Sequence, residues 1–110
     1  MSVEYLDTKN FDNALKSAKN VIVDFSAVYC RPCQLLFPKF EKLAETEPDI
    51  KFYKTDVDKE PELVEKYRIK CMPTFLFFKN TLELEPFRIQ GASLEKLKDN
   101  IKIFKDVKKE

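Results

Sequence analysis

The sequence is short of residue types that usually mark a metal or haem site. It has no histidine, no tryptophan, three cysteines and one glycine among 110 residues. A structural zinc site requires four nitrogen or sulfur ligands, and the haem-attachment motif C-x-x-C-H requires a histidine. An iron–sulfur cluster requires four thiolates, which this chain reaches only as a dimer sharing the cluster. We therefore expect no bound metal or haem in a single copy of the chain.

An excess of charge of either sign is also lacking. Twenty basic and nineteen acidic residues give a formal net charge of +1, and they alternate along the sequence without a concentrated basic patch. Nucleic-acid binding is therefore not predicted. The apolar runs are too short to span a membrane, and the first ten residues lack a signal-peptide pattern. We expect no membrane association and a cytoplasmic, thiol-reducing location.

The length and the apolar pattern predict one α/β domain over residues 1–110. The composition is 44% hydrophobic and 35% charged, which is typical of a globular chain. Periodicity predicts the order β-α-β-α-β-α-β-β-α. The strands fall at 3–6, 21–25, 50–58, 74–79 and 82–90, and the helices at 9–18, 33–47, 60–69 and 93–107. We expect Asp7 or Thr8 to cap the first helix, Ser93 to cap the last, and Pro38 to kink the second.

Two cysteines separated by two residues, Cys30 and Cys33, follow the strand at 21–25 and open a helix. A disulfide that closes so small a loop restricts the unfolded chain little, so it is a poor structural staple. Residues i and i+3 share a helix face, and the helix start stabilises a thiolate. Pro32 fits the first helical turn, where a missing N–H costs nothing. This pattern favours redox chemistry, with Cys30 as the attacking thiolate and Cys33 as the resolving thiol.

An acidic residue, Asp24, interrupts the otherwise apolar strand that precedes the cysteines. Burial there raises a carboxyl pKa, which suits Asp24 to exchange a proton with Cys33 near neutral pH. The sequence alone leaves an alternative open, in which Asp24 faces the loop or lies at the strand edge and pairs with a lysine.

Two separated motifs resemble the thioredoxin family. They are "VIVDFSAVYCRPCQ" and "KCMPTFLFFKN", with "GAS" before the last helix. The resemblance covers nearly the whole chain and implies the thioredoxin fold, a central mixed sheet flanked by helices. It implies that Cys30 is the nucleophile and Cys33 the resolving thiol, that Asp24 assists Cys33, and that Lys54 is the partner of Asp24. It further implies that the Met72–Pro73 peptide is cis and contacts substrate, together with Gly91, Ala92 and residue 29.

The sequence departs from the family pattern at the cysteine pair. Tyr29 stands where tryptophan is usual, and Arg31 where glycine is usual. A permanent positive charge beside Cys30 favours the thiolate, so we predict a more oxidising couple than one with glycine at position 31. The alternative is that Arg31 points to solvent and selects acidic substrates.

The third cysteine, Cys71, precedes the predicted cis-proline loop. It is either a small packing residue or inert surface thiol, or an exposed thiol that links two copies of a mainly monomeric protein under oxidation.

Three functions compete. The first is a thioredoxin-type protein-disulfide reductase with no bound cofactor, recharged from NADPH by the flavoprotein thioredoxin reductase. The second is a glutathione-coupled, glutaredoxin-like enzyme, and the third is a binding module with little turnover. The second is disfavoured because the chain lacks a paired-glycine motif after the proline loop. The third is disfavoured because a scaffold has no chemical need to keep Cys30, Cys33, Asp24 and Pro73 together.

Overall fold

The computed structural model describes residues 3–108. Its strands are β1 (Glu4–Tyr5), β2 (Asn20–Ser26), β3 (Ile50–Asp56), β4 (Thr74–Lys79), β5 (Leu82–Glu83) and β6 (Ile89–Gln90). Its helices are α1 (Phe11–Lys16), α2 (Arg31–Thr46), α3 (Pro61–Lys66) and α4 (Leu94–Asp106), with a 3-10 turn at Glu85–Phe87. No helix within this described part is long and apolar enough to cross a membrane.

The strands form one mixed sheet in the order β1-β3-β2-β4-β5, and β6 also pairs with β4. Strands β1 and β2 run parallel to β3, whereas β4 runs antiparallel to β2. Every residue of β2 and β4 is buried. Continuous burial requires cover on both faces of the sheet, which explains why the two central strands read as nearly unbroken apolar runs.

Helices cover the sheet on both faces and produce two hydrophobic clusters. The α2 core joins α2 and α4 to one face through Leu36, Phe40, Leu97, Ile101 and Phe104, which meet Ile22, Phe52, Phe75 and Phe77. The α1 core joins α1 and α3 to the other face through Phe11, Leu15 and Leu63, which meet Val21, Val23, Phe25 and Phe78. Alternation along β2 therefore directs Asp24, like Ile22, toward the helix that carries the cysteines.

The predicted strand over 82–90 is wrong as a single element. If the pairing of Phe78 with Glu83 continued along β4, Thr74 would face Phe87, but it faces Gln90. The 3-10 turn at Glu85–Phe87 takes up the extra residues between the two short strands. Its central residue is Pro86, which has no N–H for a ladder bond and a fixed φ, so the strand cannot continue through it.

Of the two predicted helix caps, the one for the first helix is wrong and the one for the last helix is confirmed. The residue before α1 is Asn10, whose side chain makes no cap bond, so neither Asp7 nor Thr8 is the N-cap. Asp7 Oδ1 instead accepts from the N–H groups of Lys9 and Asn10, which builds the turn before the helix. Ser93 does cap α4, since its Oγ accepts from Lys96 N–H at 3.2 Å. Helix α2 runs through Pro38 without ending.

Candidate active site

The cysteine pair lies at the amino end of α2, after the loop that leaves β2. Cys30 is the N-cap residue, and Pro32 lies in the first helical turn. Cys30 Sγ accepts from the backbone N–H of Cys33 at 3.3 Å, and Cys30 C=O accepts from Gln34 N–H at 3.0 Å. The sulfur thus takes the place that a serine or aspartate oxygen usually fills at a helix start. Unpaired N–H groups and the positive end of the helix dipole both favour a thiolate there.

The two sulfurs form a disulfide, and the two cysteines differ in accessibility. Cys33 is buried, with 4% of its surface exposed, whereas Cys30 is partly exposed. A protein substrate can therefore approach Cys30 and not Cys33. The asymmetry follows from helix geometry, because Cys33 lies one turn further in, on the side that joins the α2 core.

Asp24 is buried beneath α2, with 2% of its surface exposed. Its Oδ1 has no hydrogen-bond partner among the residues that the structure describes. Desolvation by burial raises the pKa of Asp24 to about 7, and the positive charge of Lys54 acts in the opposite direction. The structure therefore excludes the strand-edge alternative for Asp24, and it gives this carboxyl a pKa at which it can gain or lose a proton near neutral pH.

Lys54 is opposite Asp24 in the parallel register of β2 and β3. Its Nζ lies 3.7 Å from the centre of the Phe37 ring and 5.2 Å from that of Tyr5. Among the ion pairs within residues 3–108, none joins Lys54 to Asp24. Lys54 thus acts on Asp24 through charge at a distance, while its ammonium group is held over an aromatic face.

The Met72–Pro73 peptide is cis and immediately precedes β4. Continuing the antiparallel register of β2 and β4 brings Pro73 beside Ser26, at the start of the cysteine loop. Pro73 C=O accepts from Gly91 N–H at 2.8 Å, so the two predicted contact loops are joined. Gly91 has φ of +116°, which side-chain-bearing residues rarely adopt, and this accounts for the only glycine of the chain.

The remaining predicted residues lie around the amino end of α2. Arg31, Pro32 and Ala92 line one open cavity of about 560 Å³. Tyr29 is 66% exposed, and its hydroxyl donates to Asp58 Oδ1 at 3.4 Å. The predicted residues Tyr29, Arg31, Pro32 and Ala92 therefore lie at the same end of the sheet as the cysteine pair.

Cys71 is a free, exposed thiol on the edge of this surface. Its Sγ lies 3.8 Å from Thr74 Oγ1. Together with Met72 and Asp58, it lines a second cavity of about 300 Å³. Exposure excludes the packing role for Cys71 and leaves a surface thiol. Across residues 3–108 there is no group of three or more acidic, cysteine or histidine side chains that could hold a metal ion.

Three residues of the site were not predicted from the sequence. Phe37 holds the Lys54 ammonium group, Asp58 binds Tyr29, and Gln34 donates its side-chain amide to Val28 C=O. Phe37 follows Cys33 by four residues, so helical spacing could have assigned it to the face below the cysteines. The other two contacts depend on loop conformation, for which the sequence carries no clear signal.

A redox cysteine pair at a helix start, above a buried carboxyl and beside a cis-proline loop, defines a thiol–disulfide oxidoreductase. The thioredoxin family model matches residues 2–103. A thioredoxin of Geodia cydonium is 45% identical over 103 residues, which is 91% of this chain and 96% of that protein. The chain belongs to the thioredoxin family, and it is a protein-disulfide oxidoreductase.

Solved structures agree with this assignment. Plasmodium falciparum thioredoxin has a TM-score of 0.86 and 34% identity, over 92% of this chain and 98% of that one. A second match has a TM-score of 0.85 and 31% identity. It is a chain from a structural study of how yeast mitochondrial 1-Cys peroxiredoxin has its thiol resolved via glutathione/thioredoxin systems. The match covers 93% of this chain and 95% of that chain. These similarities extend over nearly the whole chain, so they confirm the predicted thioredoxin fold.

Proposed function

We propose that this chain reduces protein disulfides by a two-step dithiol cycle. In the first step the Cys30 thiolate attacks a substrate disulfide, a Cys30–substrate bond forms, and one substrate sulfur leaves and takes a proton. In the second step the Cys33 thiolate attacks Cys30 Sγ, the Cys30–Cys33 bond forms, and the second substrate sulfur leaves. Two electrons pass from the protein to the substrate in each cycle.

One observation carries this proposal. Cys30 Sγ is the N-cap acceptor of a 16-residue helix and is partly exposed, while its disulfide partner is buried. That geometry favours a thiolate at the accessible sulfur and protects the resolving thiol from solvent. It supports an ordered division of labour between the two cysteines.

The proposed role of Asp24 is to accept the proton of Cys33 as the mixed disulfide resolves. Its raised pKa suits this role, because a base works best when its pKa lies near the working pH. We propose that Lys54 limits the increase in the pKa of Asp24, since the positive charge of Lys54 favours the carboxylate. The proton then returns to Cys33 when the disulfide is reduced again.

Substrate recognition is proposed to use the surface around Cys30. An extended substrate segment pairs with the Met72 backbone beside Pro73, as in strand addition to a sheet. Tyr29 covers one side of the segment, and the small residues Gly91 and Ala92 let it approach on the other. The exposure of Tyr29 and Ala92 supports this assignment.

The decisive experiment compares two sources of electrons. We propose that the chain binds no cofactor and is recharged from NADPH by the flavoprotein thioredoxin reductase. We expect reduction of an insulin-like protein disulfide with NADPH and that reductase, and much slower reduction with glutathione and glutathione reductase. Turnover with glutathione alone would favour the glutaredoxin-like function, and no turnover with either would favour a binding module.

A trapping experiment tests the order of attack. We expect Cys33→Ser to accumulate a covalent complex with a disulfide substrate, since Cys30 can attack but nothing resolves the bond. Cys30→Ser should form none, because Cys33 is buried. Both variants also carry Cys71→Ser, so that the exposed Cys71 thiol cannot trap substrate. Electrophoresis without reductant, followed by reductant, measures the complex. Equal trapping by both variants would contradict the assignment of roles.

The proposed effect of Arg31 is a more oxidising couple. Arg31 is the first residue of α2 and follows Cys30 directly, so its charge adds to that of the helix start. Stabilising the Cys30 thiolate stabilises the reduced protein and raises its reduction potential. Titration against glutathione should give Arg31→Gly a lower potential than wild type, with Arg31→Lys close to wild type. Equal potentials for all three proteins would exclude this effect.

We propose a mainly monomeric protein that forms a dimer through Cys71 under oxidation. The exposure of Cys71 supports this assignment, and a free exposed thiol is typical of a thiol-reducing compartment, for which we propose the cytoplasm. Oxidant should produce a dimer band on non-reducing electrophoresis with wild type and none with Cys71→Ser. A dimer of the variant would assign the link to another cysteine.

A further inference from the structure

A groove between α2 and α4 leads away from the cysteine pair. Its first part is the cavity that Arg31 and Pro32 line near Cys30, together with Leu35, Lys39 and Leu94. Leu35 is 64% exposed, which is unusual for so large an apolar side chain. The groove therefore begins next to the active site with an apolar lining and two cations of α2, Arg31 and Lys39.

The groove continues along both helices as a cavity of about 380 Å³. Lys39 and Leu94 line this cavity as well, so the two cavities are adjacent. Its other lining residues include Leu43 in the floor and Lys42 and Lys98 on the two rims. We call the two cavities together the α2–α4 groove.

The rim of the groove carries only positive formal charge. Four of its lining residues are cations, namely Arg31, Lys39, Lys42 and Lys98, and no acidic residue between positions 3 and 108 lines either cavity. Within the described residues, none of these four takes part in an ion pair. Helical periodicity explains the arrangement on α2, because positions 31, 35, 39, 42 and 46 recur on one face. The net charge of the chain is only +1, yet four cations without an ion-pair partner in the described residues lie along the α2–α4 groove.

We infer that the α2–α4 groove binds an acidic and apolar segment of the protein substrate, next to the disulfide that Cys30 attacks. The inference rests on the proposed function and adds a substrate class to it. In a substrate segment that alternates apolar and acidic residues, the apolar side chains would contact Leu35, Leu43 and Leu94. The acidic side chains would contact the lysines of the rim. Complementary charge of this kind sets specificity and association rate. From Arg31 to Thr46 the helix rises about 22 Å, which an extended segment of about seven residues covers.

The test uses three synthetic substrates with the same disulfide. One has a seven-residue extension of alternating glutamate and leucine, the second has lysine in place of glutamate, and the third has no extension. We expect wild type to reduce the acidic substrate with kcat/KM about fivefold or more above the lysine substrate, through KM. The preference should decline at high ionic strength, because the rim charges are exposed to solvent.

Two double variants with equal net charge locate the effect. Lys42→Glu with Lys98→Glu reverses two rim charges far from the cysteines, whereas Lys9→Glu with Lys16→Glu reverses two exposed charges at α1, on the other face of the sheet. The first variant should lose the preference for the acidic substrate, and the second should keep it. Both should reduce the substrate without extension at the wild-type rate.

Each outcome decides one question. Equal rates of wild type on the acidic and lysine substrates would overturn the groove inference while leaving the proposed function intact. Equal loss of preference in both double variants would also overturn it, since net charge and not the groove would then be responsible. No reduction of the substrate without extension by wild type would overturn the proposed function itself.

Discussion

At the scale of single residues, Asp24 stands out because its burial links catalysis to stability. Its pKa rises from 3.8 to about 7 on folding. Between those pH values the folded protein binds a proton that the unfolded chain has released, so stability falls as the pH rises from about 4 to about 7. Above that range the cost is complete, and the buried carboxylate then destabilises the fold by about 4 kcal/mol as an upper estimate.

Asp24→Asn removes this cost but places an amide in the same dry position. We expect the free energy of unfolding at pH 8 to rise by about 2 kcal/mol, since the buried amide offsets part of the gain. At pH 4, where wild-type Asp24 is protonated in the folded protein and the ionisation cost is nearly absent, the offset remains and the variant should be less stable than wild type by about 2 kcal/mol. Denaturant titrations at both pH values measure the difference. A gain of the same size at pH 4 and pH 8 would contradict the linkage.

Lys79 is a buried lysine whose role could not be predicted from the sequence pattern. It ends the predicted strand at 74–79, yet only 1% of its surface is exposed. Its Nζ donates to Phe104 C=O at 2.7 Å and to Val107 C=O, so it binds the last carbonyl groups of α4. Positive charge is favourable at that end of a helix. Nothing local in the sequence connects residue 79 with a helix end so far along the chain.

Replacing Lys79 with methionine keeps most of the apolar stem and removes the donor. We expect Lys79→Met to lower the free energy of unfolding by about 1 to 3 kcal/mol, because buried carbonyl groups lose their charged partner. Lys102→Met, on an exposed position of α4, should change it by less than about 0.5 kcal/mol. Thermal unfolding followed by circular dichroism compares them. Equal small effects would show that the carbonyl groups find other partners.

At the scale of elements, the sequence predicts the strands that are buried on both sides and the short edge strand β1, but it does not predict the interruption of the strand at 82–90. The strand predicted at 74–79 has the observed bounds of β4, and that at 21–25 lies inside β2. A strand that is buried on both faces is a continuous run of apolar residues, and such a run can be recognised in the sequence. Edge residues 82–90 alternate like a strand, but Pro86 decides their conformation. The two-residue link before β5 lies where the predicted strands leave it, at 80–81, although it carries no glycine.

That link provides a prediction for the hairpin. Asn80 and Thr81 join β4 to β5, with φ of 52° and 70°. Two positive φ values are typical of a type I′ turn, which favours Asn-Gly. A β-branched residue is strained there, so we expect Thr81→Gly to raise the free energy of unfolding by about 1 kcal/mol. Thr46→Gly, in the last turn of α2, should lower it by a similar amount. A loss of stability in both variants would contradict the strain at position 81.

At the scale of the whole molecule, pattern and motif together predicted the fold, but they could not predict how surfaces combine. The order of elements and the two motifs are enough to predict the mixed sheet and the position of Cys30 and Cys33 at the start of a helix. The α2–α4 groove depends on how two helices far apart in sequence pack side by side. Likewise, the ring contact of Lys54 depends on packing between β3 and α2. Such contacts follow from tertiary geometry, and no local period in the sequence encodes them.

The two cores share a single sheet, and this leads to a prediction for the molecule as a whole. Phe40 is fully buried in the α2 core and Phe11 almost so in the α1 core. Strand β2 contributes Ile22 to one core and Val23 to the other, so neither core can open without exposing the strand that supports both. We expect Phe40→Leu and Phe11→Leu each to lower the free energy of unfolding by about 1 to 3 kcal/mol, with one cooperative transition in both variants. Circular dichroism and tyrosine fluorescence should give coincident melting curves. An early transition confined to one probe in either variant would mean that the two cores unfold separately, against the prediction of one domain over residues 1–110.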